Sequence, residues 1–97
     1  MTKYRFTSAA LSELKEALAY YEHEQAGLGL RFLGEIDSAV DRVLRFPYAW
    51  HPVSARSRRC RTRRFPFGLL YQIRTDEILI TAVMDLRRDP RRWRGLI

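Results

Sequence analysis

The stretch that decides the fold is LLYQIRTDEILITAVM, residues 69–84. Apolar side chains alternate along residues 69–74, which predicts a strand with one apolar face. Residues 75–77 are Thr, Asp and Glu, and they predict a tight turn into an antiparallel partner. Residues 77–84 are the most apolar segment of the chain, so we expect them to form a central strand.

Two amphipathic segments precede this hairpin. The spacing of their apolar residues predicts one helix over residues 9–25 and a second over residues 30–45, separated by Gly27 and Gly29 and ended by Pro47. Two such helices with a short connection should pack as an antiparallel hairpin. Their predicted apolar faces consist of Leu11, Leu14, Leu18, Tyr21, Leu33, Ile36, Val40, Val43 and Leu44.

Shorter segments flank the helices. Residues 4–7 alternate and predict a first strand, and Ser8 can cap the helix that follows. Residues 48–57 are irregular and predict a loop. Residues 59–65 alternate and predict a strand, which residues 66–68 (Pro-Phe-Gly) should end in a turn. One face of that strand would be a basic stripe of Arg59, Arg61 and Arg63.

The predicted order is therefore β-α-α-β-β-β. It implies an α+β fold in which the N-terminal strand and the helical hairpin pack on one face of a curved, mainly antiparallel sheet. The other face should be free to bind a partner. The length of 97 residues corresponds to one domain, residues 1–97, with a C-terminal tail from about residue 86.

Composition excludes several classes of protein. An apolar fraction of 46% with 12% aromatic residues is typical of a folded globule rather than a disordered tail. There is no apolar run near the roughly 18 residues of a membrane span and no secretion signal, so we expect a cytoplasmic protein. The single cysteine, Cys60, excludes an internal disulfide. His23 and His51 are isolated, so we expect no metal and no cofactor.

The charges are distributed unevenly. Residues 1–48 carry six Lys and Arg against seven Asp and Glu, whereas residues 49–97 carry twelve Arg, no Lys and four acids. Like charges repel one another in a compact chain, so crowding them does not help folding. Guanidinium groups suit phosphate and carboxylate partners. The second half therefore predicts a surface for a polyanion or an acidic protein, although an arginine-rich proteome would also favour Arg over Lys.

Several motifs accompany these arginines: Phe46-Pro47, the basic segment 61–65, FGLLYQI over residues 67–73, and VMDLRRDP over residues 83–90 with Trp93 beyond it. Together they resemble the RelE/ParE superfamily of bacterial toxins from type II toxin–antitoxin modules, some of which stabilise plasmids. The resemblance covers nearly the whole chain. It implies a growth-inhibiting toxin that a cognate antitoxin neutralises in a hetero-oligomer.

Two branches of that superfamily do different work. RelE-like members cut messenger RNA in the ribosomal decoding site, whereas ParE-like members poison DNA gyrase without cutting a substrate. This chain has Gly68 where the RelE-like pattern has an arginine, and Trp93 where it has a tyrosine. Tryptophan cannot shuttle a proton, so the resemblance favours the ParE-like branch. The alternatives are a RelE-like endonuclease, with Arg61, Arg88 and Asp85 as candidate catalytic residues, and a non-toxic binding module of the same fold.

Asp85 stands where ParE-like chains often have a histidine. Beside Arg87 and Arg88 it is most simply a salt-bridge partner, because a general base needs a raised pKa and arginines lower it. Trp93 is either a packing anchor or a stacking platform, and the arginines are either a binding surface or solvated edge charges. The candidate target- or antitoxin-binding residues are Arg59, Arg61, Arg63, Arg64, Arg87, Arg88, Arg91, Arg92 and Trp93.

Overall fold

The computed structural model describes residues 3–88 and 90–96. Two α-helices and five strands follow one another in the predicted α+β order. One of the five strands was not predicted: residues 51–52 form a short strand within the segment 48–57, which was expected to be a loop. The elements are β1 (Tyr4–Phe6), α1 (Ser8–Glu24), α2 (Leu28–Arg45), β2 (His51–Pro52), β3 (Arg58–Arg61), β4 (Phe67–Ile73), β5 (Ile78–Asp85) and a 3₁₀ helix (Pro90–Leu96).

The five strands form one mixed sheet in the order β1-β5-β4-β3-β2. β1 pairs with β5 in parallel, and the other three pairs are antiparallel. A parallel neighbour requires a crossover connection, and the two helices supply it. The apolar strand β5 lies between β1 and β4, so the prediction that it is an interior strand is confirmed, although β4 occupies the middle of the sheet.

The main core lies between the helices and the inner face of the sheet. Four aromatic rings meet there: the Tyr21 and Phe65 centroids are 4.9 Å apart, and the Phe32 centroid is 5.0 Å from that of Phe67. Such ring pairs add about 0.5–1.5 kcal/mol each to the area they bury. Cys60 is buried here as predicted, with 1% of its surface exposed, and burial raises the pKa of its thiol.

Helix α1 differs from the prediction in its cap and in its buried face. Thr7, not Ser8, is the N-cap, and its hydroxyl accepts a hydrogen bond from the backbone N–H of Ala10 at 3.1 Å. Leu11 is 39% exposed, so its assignment to the core was wrong. Two alanines, Ala10 and Ala17, are buried instead. The buried face consists of Ala10, Leu14, Ala17 and Tyr21.

Helix α2 begins two residues earlier than predicted, at Leu28. Gly27 precedes it with a φ of 88°, a conformation that favours glycine. The Glu22 carboxylate of α1 accepts hydrogen bonds from the backbone N–H groups of Gly27 and Gly29 at 3.0–3.1 Å. This carboxylate supplies the N-terminal cap that the sequence of α2 lacks, and a negative charge is favourable at a helix N-terminus.

The predicted turn at residues 66–68 was wrong. β3 ends at Arg61, and residues 62–66 form the connection, so Phe67 already belongs to β4. The Thr62 hydroxyl closes this connection by donating to the carbonyls of Phe65 (2.9 Å) and Phe67 (3.2 Å). Arg64 adopts a φ of 68° within it.

The outer face of the sheet is not free, in contrast to the expectation. The 3₁₀ helix places Trp93 over this face, where Trp93 packs with Leu70, Ala82 and Met84 in a second apolar cluster. Val53 and Leu86 border the cluster. The tail therefore covers part of the face that was predicted to be free. Within residues 3–88 and 90–96, no helix is long and apolar enough to cross a membrane.

Candidate functional site

Asp85 is the last residue of β5 and is bound by the arginines that follow it. Its Oδ1 accepts hydrogen bonds from the backbone N–H and the Nε of Arg87, and its Oδ2 accepts one from Arg87 Nη2, all at 3.0 Å. Arg88 Nε lies 3.7 Å from the same Oδ2. The predicted salt bridge is confirmed. These hydrogen bonds, chiefly those from the Arg87 side chain, lower the pKa of Asp85, which is the opposite of what a general base needs at neutral pH.

A cleft of about 570 Å³ opens beside Asp85, between α1, the end of β5 and the 3₁₀ helix. We call it the α1–tail cleft. Glu13 and Tyr20 line it from α1, and Arg88 and Arg92 line it from the tail side. Glu13 Oε1 accepts a hydrogen bond from the backbone N–H of Val83 at 3.0 Å, so it fastens α1 to β5 beyond the end of β1.

Among the described residues that line the α1–tail cleft, three arginines (Arg87, Arg88 and Arg92) meet three carboxylates (Glu13, Glu16 and Asp85). Asp85 binds Arg87 closely and Arg88 at 3.7 Å, and both Arg88 and Arg92 are exposed. Tyr20, which is 53% exposed, adds an aromatic surface. The exposed Arg88 and Arg92 can therefore bind carboxylates of a partner segment whose apolar side chains pack on Tyr20.

Trp93 does not present its ring to a partner. It is 4% exposed and serves as the packing anchor of the tail, which was one of the two predicted roles. Its indole Nε1 is buried and has no hydrogen-bond partner among the described residues. Arg91 and Arg92 of the same 3₁₀ helix are exposed.

The predicted basic stripe of β3 is only partly present. Arg59 and Arg61 do share a face, but Arg63 lies in the connection after the strand, beside Arg64. Arg59 is half-buried: its stem lies over Gly68, where a Cβ would be 3.2 Å from Arg59 Cγ, and its Nε has no hydrogen-bond partner among the described residues.

Three exposed arginines remain at this end of β3, namely Arg61, Arg63 and Arg64, and we call them the β3-end arginines. Within the described part of the chain they form no ion pair. Arg63 borders a shallow depression on α2 that also contains Asp37 and Asp41, and Asp41 is paired with Arg45 at 3.1 Å. The β3-end arginines therefore keep their charge available to an external partner.

The three candidate catalytic residues do not meet. Asp85 and Arg88 are neighbours, but Arg61 is opposite Gly68, which is opposite Met84. Successive side chains of a strand point to opposite faces, so Arg61 lies on the outer face with Met84, whereas Asp85 lies on the face of Phe67, its partner in β4. The sheet separates the anion-binding group from the carboxylate.

A comparison with known protein families decides the assignment. The family described as "ParE toxin of type II toxin-antitoxin system, parDE" matches residues 4–90. The chain belongs to the ParE toxin family. A solved structure of the chromosomal ParDE toxin–antitoxin system from P. aeruginosa is similar, with a TM-score of 0.71 and 17% sequence identity over 89% of this chain and 97% of that chain. At this identity the likeness concerns the fold. No curated protein matches the chain.

The α1 side of the cleft of this ParE toxin was not predicted. Glu13, Glu16 and Tyr20 were not among the predicted site residues, although their spacing of three and four residues places them on one side of the helix. Their positions relative to Arg92 depend on how α1 packs on β5, and no local sequence pattern records that packing. The family match does imply an antitoxin partner for this chain.

Proposed function

We propose that this ParE toxin inhibits DNA gyrase by binding it, and that a cognate antitoxin neutralises the toxin in a hetero-oligomer in the cytoplasm. The observation that supports the proposal is that the exposed arginines lie apart from Asp85, the candidate proton-transfer residue. The β3-end arginines are exposed and unpaired within the described residues, while Asp85 is bound by Arg87 and separated from Arg61 by the sheet. Such an arrangement favours binding over proton transfer.

We propose that the β3-end arginines contact gyrase. Arg61 ends β3, and Arg63 and Arg64 lie in the connection that Thr62 holds with two hydrogen bonds. The three residues carry charges that no described carboxylate pairs with. Guanidinium groups on a rigid support are suited to acidic or phosphate surfaces. Replacing all three should therefore weaken the contact without unfolding the chain.

We propose that the α1–tail cleft receives the antitoxin. An amphipathic acidic segment would place its apolar side chains against Ala17, Tyr20 and Val83, and its carboxylates against Arg88 and Arg92, all of which line the cleft. Charge complementarity of this kind accelerates association and selects the partner. Gyrase would contact the surface beside the tail as well as the β3-end arginines, so an antitoxin bound in the cleft would block that part of the gyrase contact.

The test is a supercoiling assay with purified gyrase and toxin. We expect inhibition that scales with toxin concentration and disappears when antitoxin is added. The variant Arg61→Gln/Arg63→Gln/Arg64→Gln should need at least about tenfold more toxin for the same inhibition. The control Lys15→Gln/Arg31→Gln/Arg45→Gln removes the same number of charges from the exposed sides of the helices and should inhibit like the parent.

Two results would contradict the proposal. One is normal supercoiling in the presence of excess folded toxin. The other is that induced expression of the toxin alone stops protein synthesis and cuts ribosome-bound messenger RNA before any DNA breaks appear, which would support the endonuclease alternative. Harmless expression would support the non-toxic binding module.

A further inference from the structure

A second cleft, of about 450 Å³, lies at the other end of β3, between the loop that precedes this strand and the end of β4. We call it the Tyr48 cleft. Its charges differ from those of the α1–tail cleft: the described residues that line it include Arg56, Arg58 and Arg74 and no carboxylate. The cleft is therefore a concentrated cationic site.

The aromatic side of the Tyr48 cleft is held in place although it is exposed. Tyr48 is 70% exposed, and the Arg58 guanidinium carbon lies 5.6 Å from the centroid of its ring. Arg58 Nη1 also donates to the backbone carbonyls of Tyr48 at 2.9 Å and Trp50 at 2.8 Å. The partly buried Arg58 therefore holds both the loop and the Tyr48 ring in place, while most of the ring surface faces solvent.

The loop at the mouth of the cleft is also ordered. Ser54 Oγ accepts hydrogen bonds from the backbone N–H groups of Arg56 at 3.2 Å and Ser57 at 3.1 Å. This closed turn positions the exposed Arg56 at one side of the cleft. A ligand would meet a formed surface and would not have to order the loop, which lowers the entropic cost of binding.

Arg74, which follows β4, also lines the cleft. Its Nη2 and Nε donate to Gln72 Oε1 at 2.8 and 3.2 Å, which orients the guanidinium without neutralising it. The nearby carboxylate of Glu77 forms a salt bridge with Arg5, with 3.0 Å between Oε2 and Nη2. Arg56 and Arg74 therefore line the same cleft as Tyr48 without a carboxylate partner among the described residues.

We propose that the Tyr48 cleft binds a single strand of nucleic acid. Arg56 and Arg74 would contact successive phosphates, and one unstacked base would stack on Tyr48. Aromatic rings and arginines that line a positively charged groove are the usual means of binding single strands without sequence preference. An acidic peptide would also bind the arginines, but only a nucleic-acid strand combines regularly spaced phosphates with planar bases that stack on the Tyr48 ring. None of these contacts reads the sugar, so DNA and RNA strands should bind alike.

The test is fluorescence anisotropy with the full chain and labelled dT and rU oligonucleotides of about 12 nucleotides. The variants Tyr48→Ala and Arg56→Gln/Arg74→Gln should each weaken binding about tenfold or more. Removing both arginines should also reduce the dependence of the affinity on salt. The control Lys15→Gln/Arg31→Gln, which removes two charges elsewhere, should bind like the parent, and the two oligonucleotides should differ by less than about threefold.

The proposal is wrong if the cleft variants bind like the parent, or if the control loses as much affinity as they do. It is also wrong if polyglutamate displaces the strand at equal charge concentration and Tyr48→Ala has no effect, since the cleft would then be an acidic-protein surface. Gyrase inhibition by Arg56→Gln/Arg74→Gln separates this site from the proposed function: we expect it to be unchanged.

Discussion

The ion pairs of Asp85 are formed with arginines that lie close to it in the sequence. Arg87 and Arg88 follow it within three positions, and the turn after β5 brings both guanidinium groups to the carboxylate at 3.0 and 3.7 Å. The predicted salt bridge depended only on this spacing. Glu13, which also binds near the end of β5, was missed because its partner Val83 is 70 residues away.

The charge of Asp85 should contribute to stability in a pH-dependent way. Its folded pKa is lowered, so its contribution is complete above the ordinary Asp pKa of about 3.9 and is lost as the pH falls through the folded value. We expect Asp85→Asn to lower the free energy of unfolding at pH 7 by about 1 kcal/mol, a modest figure because Arg87 is largely exposed.

Urea denaturation of the parent and Asp85→Asn across the acid range checks this prediction. The difference between the two proteins should be constant from pH 7 to near 5 and should shrink below about pH 4. A difference that persists unchanged at the lowest pH would mean that the carboxylate acts through its shape rather than its charge.

At the scale of elements, α2 shows how the same residue type can have opposite effects. A Cβ at Gly29 would lie 2.9 Å from the backbone carbonyl oxygen of Leu18, whereas a Cβ at Gly34 would meet nothing within 4 Å. The first glycine permits the close approach of α1 and α2. The second lies exposed in the interior of the helix, where glycine is unfavourable.

Two single substitutions in α2 should therefore have opposite signs. Gly34→Ala should raise the free energy of unfolding by about 0.5–1 kcal/mol, because it lowers the entropy of the unfolded chain. Gly29→Ala should lower it by about 1–3 kcal/mol, because α2 must move away from α1. Thermal denaturation of the pair measures both. If both variants were stabilised, the close packing of the two helices would be contradicted.

The 3₁₀ helix depends on one anchor. Trp93 is 4% exposed and packs on Leu70, Ala82 and Met84. Trp93→Ala should cost about 3 kcal/mol, whereas Trp93→Phe should cost much less, because the buried Nε1 has no hydrogen bond to lose among the described residues. Urea denaturation with circular dichroism distinguishes the two. Equal stability of Trp93→Ala and the parent would show that the tail does not dock on the sheet.

Some of the elements could be predicted from the sequence and others could not. The β4–β5 hairpin was predicted because its apolar pattern and its turn residues agree. The connection at residues 62–66 was missed because Pro66 and Gly68 resemble a turn, while the actual closure depends on the Thr62 hydroxyl. Leu11 was assigned to the apolar face of α1, whereas the buried residues include Ala10 and Ala17. The small side chain of alanine contributes little to a hydrophobic pattern, so the pattern did not identify them.

At the scale of the whole molecule, the fold separates its charges. The two helices carry most of the acids, while the strands, connections and tail after α2 carry twelve arginines, so the net charge of +7 comes from the second half of the chain. A field of this kind steers an acidic partner toward the toxin. The half-sequence charge counts predicted this feature, but they could not divide the arginines between two clefts and the β3 end, since tertiary packing decides that division.

Binding of the antitoxin should therefore depend on ionic strength mainly through its association rate. We expect the rate constant for association to fall by about tenfold or more as NaCl rises from about 50 to 500 mM, with a smaller change in dissociation. Stopped-flow mixing or surface plasmon resonance measures both constants. An association rate that does not depend on salt would show that long-range attraction plays no part in complex formation.

The contact between Arg59 and Gly68 limits the size of the side chain at position 68. A methyl group at residue 68 needs only a small shift, since the Cβ would be 3.2 Å from Arg59 Cγ and 3.5 Å from Leu86 Cδ2. A long side chain there, such as the arginine of the RNA-cleaving branch, must displace the stem of Arg59. A long side chain at position 68 and the full stem of Arg59 therefore compete for the same space, so we expect the stability cost of Gly68→Arg to be smaller in an Arg59→Ala background.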